Sequence, residues 1–164
     1  MSDQSSSVYR FGDLLALARE YWVRDMTEGL AELGFPDYRR SDALLVRVLL
    51  RGPRPVGRIG TALNVSRQAA RKLVTGLERR GYAQTSTSAT DARQLEVSLT
   101  PRGEEFAIAI VATIDGLNRR IAERVDPTQL LAADAVLRAA LPDEHARRRA
   151  ERLIPPLRPN DLEP

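Results

Sequence analysis

The chain of 164 residues contains no cysteine and one histidine, His145, and these two shortages exclude several kinds of site. Without thiolates there is no disulfide, no thiol redox sensor and no zinc site with cysteine ligands. A lone histidine in an arginine-rich stretch supports neither a Ser-His-Asp triad nor a site with several histidine ligands. We therefore expect no enzyme, no catalytic residues, no metal and no cofactor.

Long apolar segments are also missing. The longest, Phe106–Ile114, has about half the length that a membrane-spanning helix needs. Met1–Ser7 has neither the basic start nor the apolar centre of a secretion signal. These observations predict a cytoplasmic protein with no membrane partner.

Basic residues are concentrated in one part of the chain. Between Arg51 and Arg80, eight basic residues stand against a single acidic one, Glu78, for a local net charge of +7. The whole chain carries only +3, so the rest of it sums to −4. A positive potential confined to one segment is typical of a phosphate-binding surface, although a run of arginines alone is equally consistent with a solvated helix face.

The same segment has the pattern of a helix-turn-helix. It predicts a helix over Val56–Leu63, a turn at Asn64-Val65, and a second helix from Ser66, its N-cap, to Arg80, with Gly81 as terminator. The apolar residues of the two helices would pack against each other. That packing leaves six outward side chains suited to a major groove, which are Arg67, Gln68, Ala69, Arg71, Lys72 and Thr75.

A β-hairpin is predicted directly after the second helix, with strands over Tyr82–Thr87 and Arg93–Leu99. Apolar and polar residues alternate in the second strand, as in a strand with one buried face. The only charged residues of the hairpin are Asp91, Arg93 and Glu96. We therefore expect the hairpin to contribute less affinity for phosphates than the second helix does.

Helical periodicity flanks this segment on both sides. It predicts helices over Asp13–Leu33, from Ser41-Asp42 onward, after the N-cap Thr100, and after a capping-box pattern at Asp126. A β-branched run, Ile108–Ile114, could be a strand, but the cap and the spacing favour a helix. Long helices with broad apolar stripes favour an obligate homodimer over a monomer.

Four motifs follow one another in a distinctive order and spacing: Ile59 to Gln68, Leu77 to Tyr82, Asp91-Ala92-Arg93 and Leu99-Thr100-Pro101-Arg102-Gly103. Together they resemble the multiple-antibiotic-resistance regulator (MarR) family. The resemblance implies a mainly α protein with a small two-stranded β wing, that is, a winged helix-turn-helix with a helical dimerisation region.

The implied domain organisation has three parts. Residues 1–10 form a mobile N-terminus, residues 11–141 a single domain, and residues 142–164 a C-terminal helix and tail. Within the domain, the winged helix-turn-helix occupies about 41–100, and dimerisation helices occupy about 11–33 and 101–141.

The resemblance also implies a transcription regulator, more often a repressor, that binds a pseudo-palindromic operator in double-stranded DNA as a homodimer. Arg93 would enter the minor groove and Asp91 would position it. The expected DNA-binding residues are Ser66, Arg67, Gln68, Ala69, Arg71, Lys72, Thr75, Asp91, Arg93, Arg54 and Arg58.

A small aromatic or anionic effector is implied by the same resemblance. Its candidate contacts are Tyr9, Tyr21, Trp22 and Tyr38, for which packing in the core and dimer interface is the alternative role. Two other functions stay open: a small-molecule sensor that has the fold without strong DNA binding, and a protein-interaction adaptor.

Overall fold

The computed structural model of the chain describes residues 10–88, 91 and 93–153. Tyr9 and the predicted mobile N-terminus before Arg10, part of the hairpin tip, and the tail beyond Leu153 lie outside the described residues. Within them, the order of elements is α1 (Phe11–Glu32), α2 (Asp42–Leu49), α3 (Val56–Leu63), α4 (Arg67–Arg79), β1 (Ala83–Thr87), β2 (Leu95–Leu99), α5 (Pro101–Ala122), α6 (Pro127–Ala139) and α7 (Glu144–Leu153).

The chain forms two compact units, divided between Asp115 and Gly116 in α5. The first unit has a continuous apolar core. Its fully buried side chains include Leu30 of α1, Leu45 of α2 and Ile59 of α3. Leu77 and Phe106, from α4 and α5, are also fully buried. The mainly helical fold with one small sheet is the predicted one.

The helix-turn-helix of α3 and α4 forms as predicted. Asn64 adopts the left-handed conformation, with φ 54° and ψ 50°, in the turn between the helices. The Ser66 hydroxyl accepts a hydrogen bond of 3.1 Å from the backbone N–H of Ala69, which confirms Ser66 as the N-cap. A Cβ atom at Gly60 would lie only 3.1 Å from the Val65 carbonyl oxygen, so a small residue is needed where the helices cross.

The hairpin is an antiparallel pair in which Ala83 faces Leu99 and Thr87 faces Leu95. Each strand begins later in the chain than predicted, β1 by one residue and β2 by two. Tyr82 is not in β1, because its N–H donates to the Leu77 carbonyl in the turn that ends α4. Residues 93 and 94 are not in β2, because the Gln94 N–H donates to the Asp91 carbonyl in the tip.

The start of α5 is fixed against the end of α4. The Thr100 hydroxyl accepts from the N–H of Gly103 at 3.1 Å and donates to the Gly81 carbonyl at 2.6 Å. A Cβ atom at Gly103 would overlap the Tyr82 carbonyl group. The Leu-Thr-Pro-x-Gly motif therefore needs its hydroxyl for a cap and its glycine for a close backbone contact.

The second unit contains the end of α5, α6 and α7. Asp126 and Gln129 form the predicted capping box at the start of α6, with Asp126 accepting from the Thr128 N–H at 2.8 Å. No residue of α6 is buried in the single chain. Among the described residues, no helix is both long and apolar enough to span a bilayer.

Candidate nucleic-acid interface

A groove with a volume of about 960 Å³ lies between the N-terminal ends of α3 and α4 and the part of the hairpin next to its tip. Arg58 of α3, Arg67 and Arg71 of α4, and Arg93 beside β2 all line it, and Gln68 lies among them. Among the described residues that line the groove, none is acidic. Four arginines from three parts of the chain therefore line one concave, positively charged surface.

The outward face of α4 agrees closely with the predicted one. Arg67, Gln68, Arg71 and Lys72 are exposed, while Ala69 and Thr75 are half-buried at the edges of this face. Ala70, Val74 and Leu77 are buried on the opposite face. Because the apolar side of α4 packs against the core, the polar side of the helix is available to a ligand.

The hairpin tip presents Arg93 to the groove through a local turn. The Asp91 carboxylate accepts a hydrogen bond of 3.0 Å from the backbone N–H of Arg93. Asp91 thus orders the main chain that carries Arg93, and the Arg93 side chain stays exposed. Ala92 lies outside the described residues.

Two other predicted residues have mainly structural partners. Arg54 pairs with Val97 through both backbone groups, at 3.0 and 2.9 Å, so its main chain extends the small sheet while its side chain is exposed. Ser66 uses its hydroxyl to cap α4. Arg54 and Ser66 do not line the groove.

Arg80, one of the eight basic residues between Arg51 and Arg80, does not contribute to the positive surface. Its guanidinium makes a bidentate ion pair with Asp42, at 2.7 and 2.9 Å, and the two side chains are only 10% and 3% exposed. The hydrogen bond to Asp42 raises the pKa of Arg80 above its usual value. Arg80 is therefore an internal cation of the fold, and it adds nothing to the surface charge that sequence counting assigns to it.

A polar network around Arg80 joins the loop before α2 to the end of α4. Arg80 also donates to the Asp37 carbonyl at 2.8 Å, and the Tyr82 hydroxyl donates to the Asp37 carboxylate at 2.5 Å. Burial, followed by the hydrogen bond to Asp37, raises the pKa of Tyr82. Partners this far apart in the chain leave no local pattern in the sequence, so sequence analysis missed this network.

An aromatic cluster lies next to the network. The rings of Tyr82 and Phe106 stack with centroids 4.3 Å apart, and Phe35 lies 5.1 Å from Phe106. Tyr38, an effector candidate, contacts the edge of this cluster at 6.4 Å from Phe106, and burial raises its pKa. This position agrees with the packing role that was the alternative for the aromatic residues.

Tyr21 and Trp22, the other effector candidates among the described residues, do not line the groove. Tyr21 is half exposed beneath the Arg24 guanidinium, 4.6 Å from its ring centre, and Trp22 is half-buried. A smaller cavity of about 370 Å³, bounded by α2, β2 and α5, contains none of the predicted aromatic contacts.

The crossed helices, the hairpin and the groove between them define a winged helix-turn-helix protein. Residues 37–94, which include α3, α4 and the first strand of the hairpin, match the model of the MarR family. This part of the chain is therefore similar to the winged helix-turn-helix region of MarR regulators.

Solved structures share the fold over most of the chain. A probable transcriptional regulator from Pseudomonas aeruginosa is 22% identical with a TM-score of 0.62, over 78% of this chain and 94% of that one. A mutant MarR from E. coli, complexed with operator DNA, is 17% identical with a TM-score of 0.66, over 86% of this chain and 100% of that one. The transcriptional repressor CouR, bound to a 23-mer DNA duplex, is 19% identical with a TM-score of 0.65, over 84% and 96%. No curated protein matches the chain.

Proposed function

We propose that this protein is a sequence-specific, DNA-binding transcription regulator that acts as a homodimer on a pseudo-palindromic operator. The observation that carries the proposal is the groove in which Arg58, Arg67, Arg71 and Arg93 converge. Arginine suits such a surface because its planar guanidinium binds phosphate and guanine in a bidentate manner.

Different parts of the groove would perform different tasks. The exposed face of α4, with Arg67, Gln68, Arg71 and Lys72, would enter the major groove and contact base edges. Arg58 at the start of α3 would bind the phosphate backbone, and Arg93 would reach the adjacent minor groove. Two subunits would place their α4 helices one helical turn apart on DNA, about 34–36 Å.

Exposed apolar side chains support the homodimer. In the first unit, Phe11, Leu14 and Leu17 of α1 are 44%, 65% and 48% exposed, and Ile108 of α5 is 65% exposed. In the second unit, Val136 of α6 is half exposed. Large apolar side chains spaced along helices in this manner are typical of surfaces that a second subunit covers.

Repression, and its relief by an aromatic or anionic effector, complete the proposal. They depend on the resemblance to MarR regulators and on the likeness to repressor structures, and not on an identified ligand site. An effector would act if it favoured a separation of the two α4 helices that does not match the operator.

The decisive experiment is to measure binding of the purified protein to DNA from upstream of its own gene and to a scrambled duplex, over a salt series. We expect tight, sequence-dependent binding whose logarithm falls steeply with the logarithm of salt concentration. Weak binding that ignores sequence would favour the small-molecule sensor. Largely unchanged DNA affinity after removal of residues 142–164 would show that the tail is accessory to DNA binding.

A further inference from the structure

The helix α4 is held on two opposite flanks by different parts of the chain. On one flank, Glu78 accepts a hydrogen bond of 2.5 Å from the Thr85 hydroxyl of β1. On the other, Arg80 binds Asp42 and the Asp37 carbonyl. Side chains two positions apart on a helix point about 200° away from each other, so these contacts define a wing flank and a loop flank.

The loop of residues 37–42 lies along the loop flank. The Arg39 guanidinium is 3.9 Å from the position that a Cβ atom would take at Gly76, one helical turn before Arg80. The Asp42 carboxylate accepts a hydrogen bond of 2.8 Å from the Arg39 N–H, and the Asp42 N–H donates to the Arg39 carbonyl at 2.8 Å. The main chain that carries Arg39 is therefore anchored to the buried ion pair.

The acidic residues of this loop offset its surface charge only in part. Asp42 is buried and paired with Arg80, so these two charges neutralise each other, whereas Asp37 is exposed and accepts from the neutral Tyr82 hydroxyl. Arg39 and Arg40 are both exposed. The loop flank therefore presents two arginines to solvent. They precede the charged segment of Arg51 to Arg80 in the sequence, so the charge count of that segment does not include them.

We propose that Arg39 and Arg40 form a second phosphate clamp, on the side of α4 opposite the hairpin. A major groove about 12 Å wide holds a helix about 10–12 Å across, so that each flank of the helix faces one of the two phosphate backbones. Arg93 binds the phosphates of the DNA strand beside the wing flank, and Arg39 with Arg40 binds those of the other DNA strand. The second clamp compensates for the low charge of the hairpin.

The proposal depends on the proposed DNA binding, and its test separates the two. A duplex is selected from a random pool with the wild-type protein, and its affinity is measured over a salt series for the wild type and for the Arg39→Ala/Arg40→Ala variant. We expect the salt slope to fall by roughly 1.8 per subunit, at about 0.9 for each lost phosphate contact, with the sequence preference unchanged. Phosphate ethylation interference should disappear on the strand facing the loop flank and persist on the strand facing the hairpin.

The matched control is Arg10→Ala/Arg24→Ala, which removes two exposed arginines, one at the N-cap of α1 and one within it. Its salt slope should equal that of the wild type. An unchanged slope in the loop variant, with a reduced slope in Arg93→Ala, would overturn the second clamp and leave DNA binding intact. An equal loss of slope in the control would also overturn it, whereas failure of the wild type to select any duplex would overturn both proposals.

Discussion

Arg71 lies in α4 and Arg80 directly follows it, but only Arg80 stabilises the fold. Arg71 is exposed in the groove, whereas Arg80 is enclosed by Asp42 and two backbone carbonyls, those of Asp37 and Gly76. The same residue type therefore stabilises the fold at one position and, in the proposed function, would contact DNA at the other. The position of a carboxylate 38 residues away decides between the two roles.

Arg71→Ala should relax the sequence preference at one base-pair position in each half-site. A bidentate arginine contact to guanine is worth about 1–3 kcal/mol of discrimination, and alanine removes it. Selection of duplexes from a random pool by the variant and by the wild type measures the change position by position. An unchanged profile would contradict the placement of Arg71 at a base edge.

Asp42→Ala should lower the free energy of unfolding by about 3 kcal/mol, because it leaves the cation of Arg80 unpaired in an enclosed site. Urea denaturation measures the loss, with Asp115→Ala, on the exposed surface of α5, as the control. The double variant Asp42→Ala/Arg80→Met should be more stable than Asp42→Ala alone, since no charge is left without its partner. A double variant less stable than Asp42→Ala would contradict this account.

At the scale of elements, the junction between α4 and α5 shows how a short motif specifies structure. Thr100 supplies the cap, and Gly103 allows the backbone of α5 to approach the Tyr82 carbonyl. This contact fixes where α5 begins relative to the hairpin. The stacked rings of Tyr82 and Phe106 then reinforce the same junction.

Two glycines of α5 should respond to alanine in opposite directions. Gly103→Ala should destabilise the protein by about 1–3 kcal/mol, because the added methyl group displaces the Tyr82 backbone. Gly116→Ala should stabilise it by up to about 1 kcal/mol, because a Cβ atom there meets no other atom within 4 Å and alanine favours helix. Thermal denaturation of the two variants beside the wild type provides the test. A stabilised Gly103→Ala variant would show that the junction is looser than described.

Local signals were sufficient to predict the helix-turn-helix. Val56–Leu63 forms a helix with the predicted bounds, and the roles of Ser66 and Asn64 are confirmed, because caps and turns depend on neighbouring residues. The strand ends were predicted less well, since the bonds that exclude Tyr82 and Gln94 from the sheet depend on the completed turns.

The candidate site was predicted in part. The pattern of α4 identified Arg67, Gln68 and Arg71, but their convergence with Arg93 in one groove needs the three-dimensional structure. The pairing of Arg80 with Asp42 is non-local, so charge counting alone overstated the surface charge. The DNA-binding roles themselves stay predictions until binding is measured.

At the scale of the whole molecule, the flanking helices of the single chain expose large apolar side chains along their length. The first half of α1 is exposed throughout, whereas Met26 and Leu30 in its second half are buried. One helix thus packs in the core of its own chain at one end and leaves apolar side chains exposed at the other, where the proposed second subunit would cover them.

Leu14→Glu should shift the protein from dimer to monomer. At 65% exposure, glutamate at this position costs little in a lone chain, but it would bury a charge between subunits. Analytical ultracentrifugation over a concentration series should show a dissociation constant raised at least about 100-fold, since about 3 kcal/mol of lost affinity corresponds to that factor. The control is Leu33→Glu, 54% exposed at the other end of the helix, which should remain dimeric. A monomeric wild type would refute the dimer outright.

The two faces of α4 have a consequence for how such a protein can change over time. Its buried face, with Ala70, Val74 and Leu77, maintains the fold, while its exposed face supports no packing. Substitutions on the exposed face are therefore nearly free of thermodynamic penalty, and gene duplication could yield stable descendants that recognise unrelated operators. A library randomised at Arg67, Gln68, Arg71 and Lys72 would retrace that divergence in the laboratory.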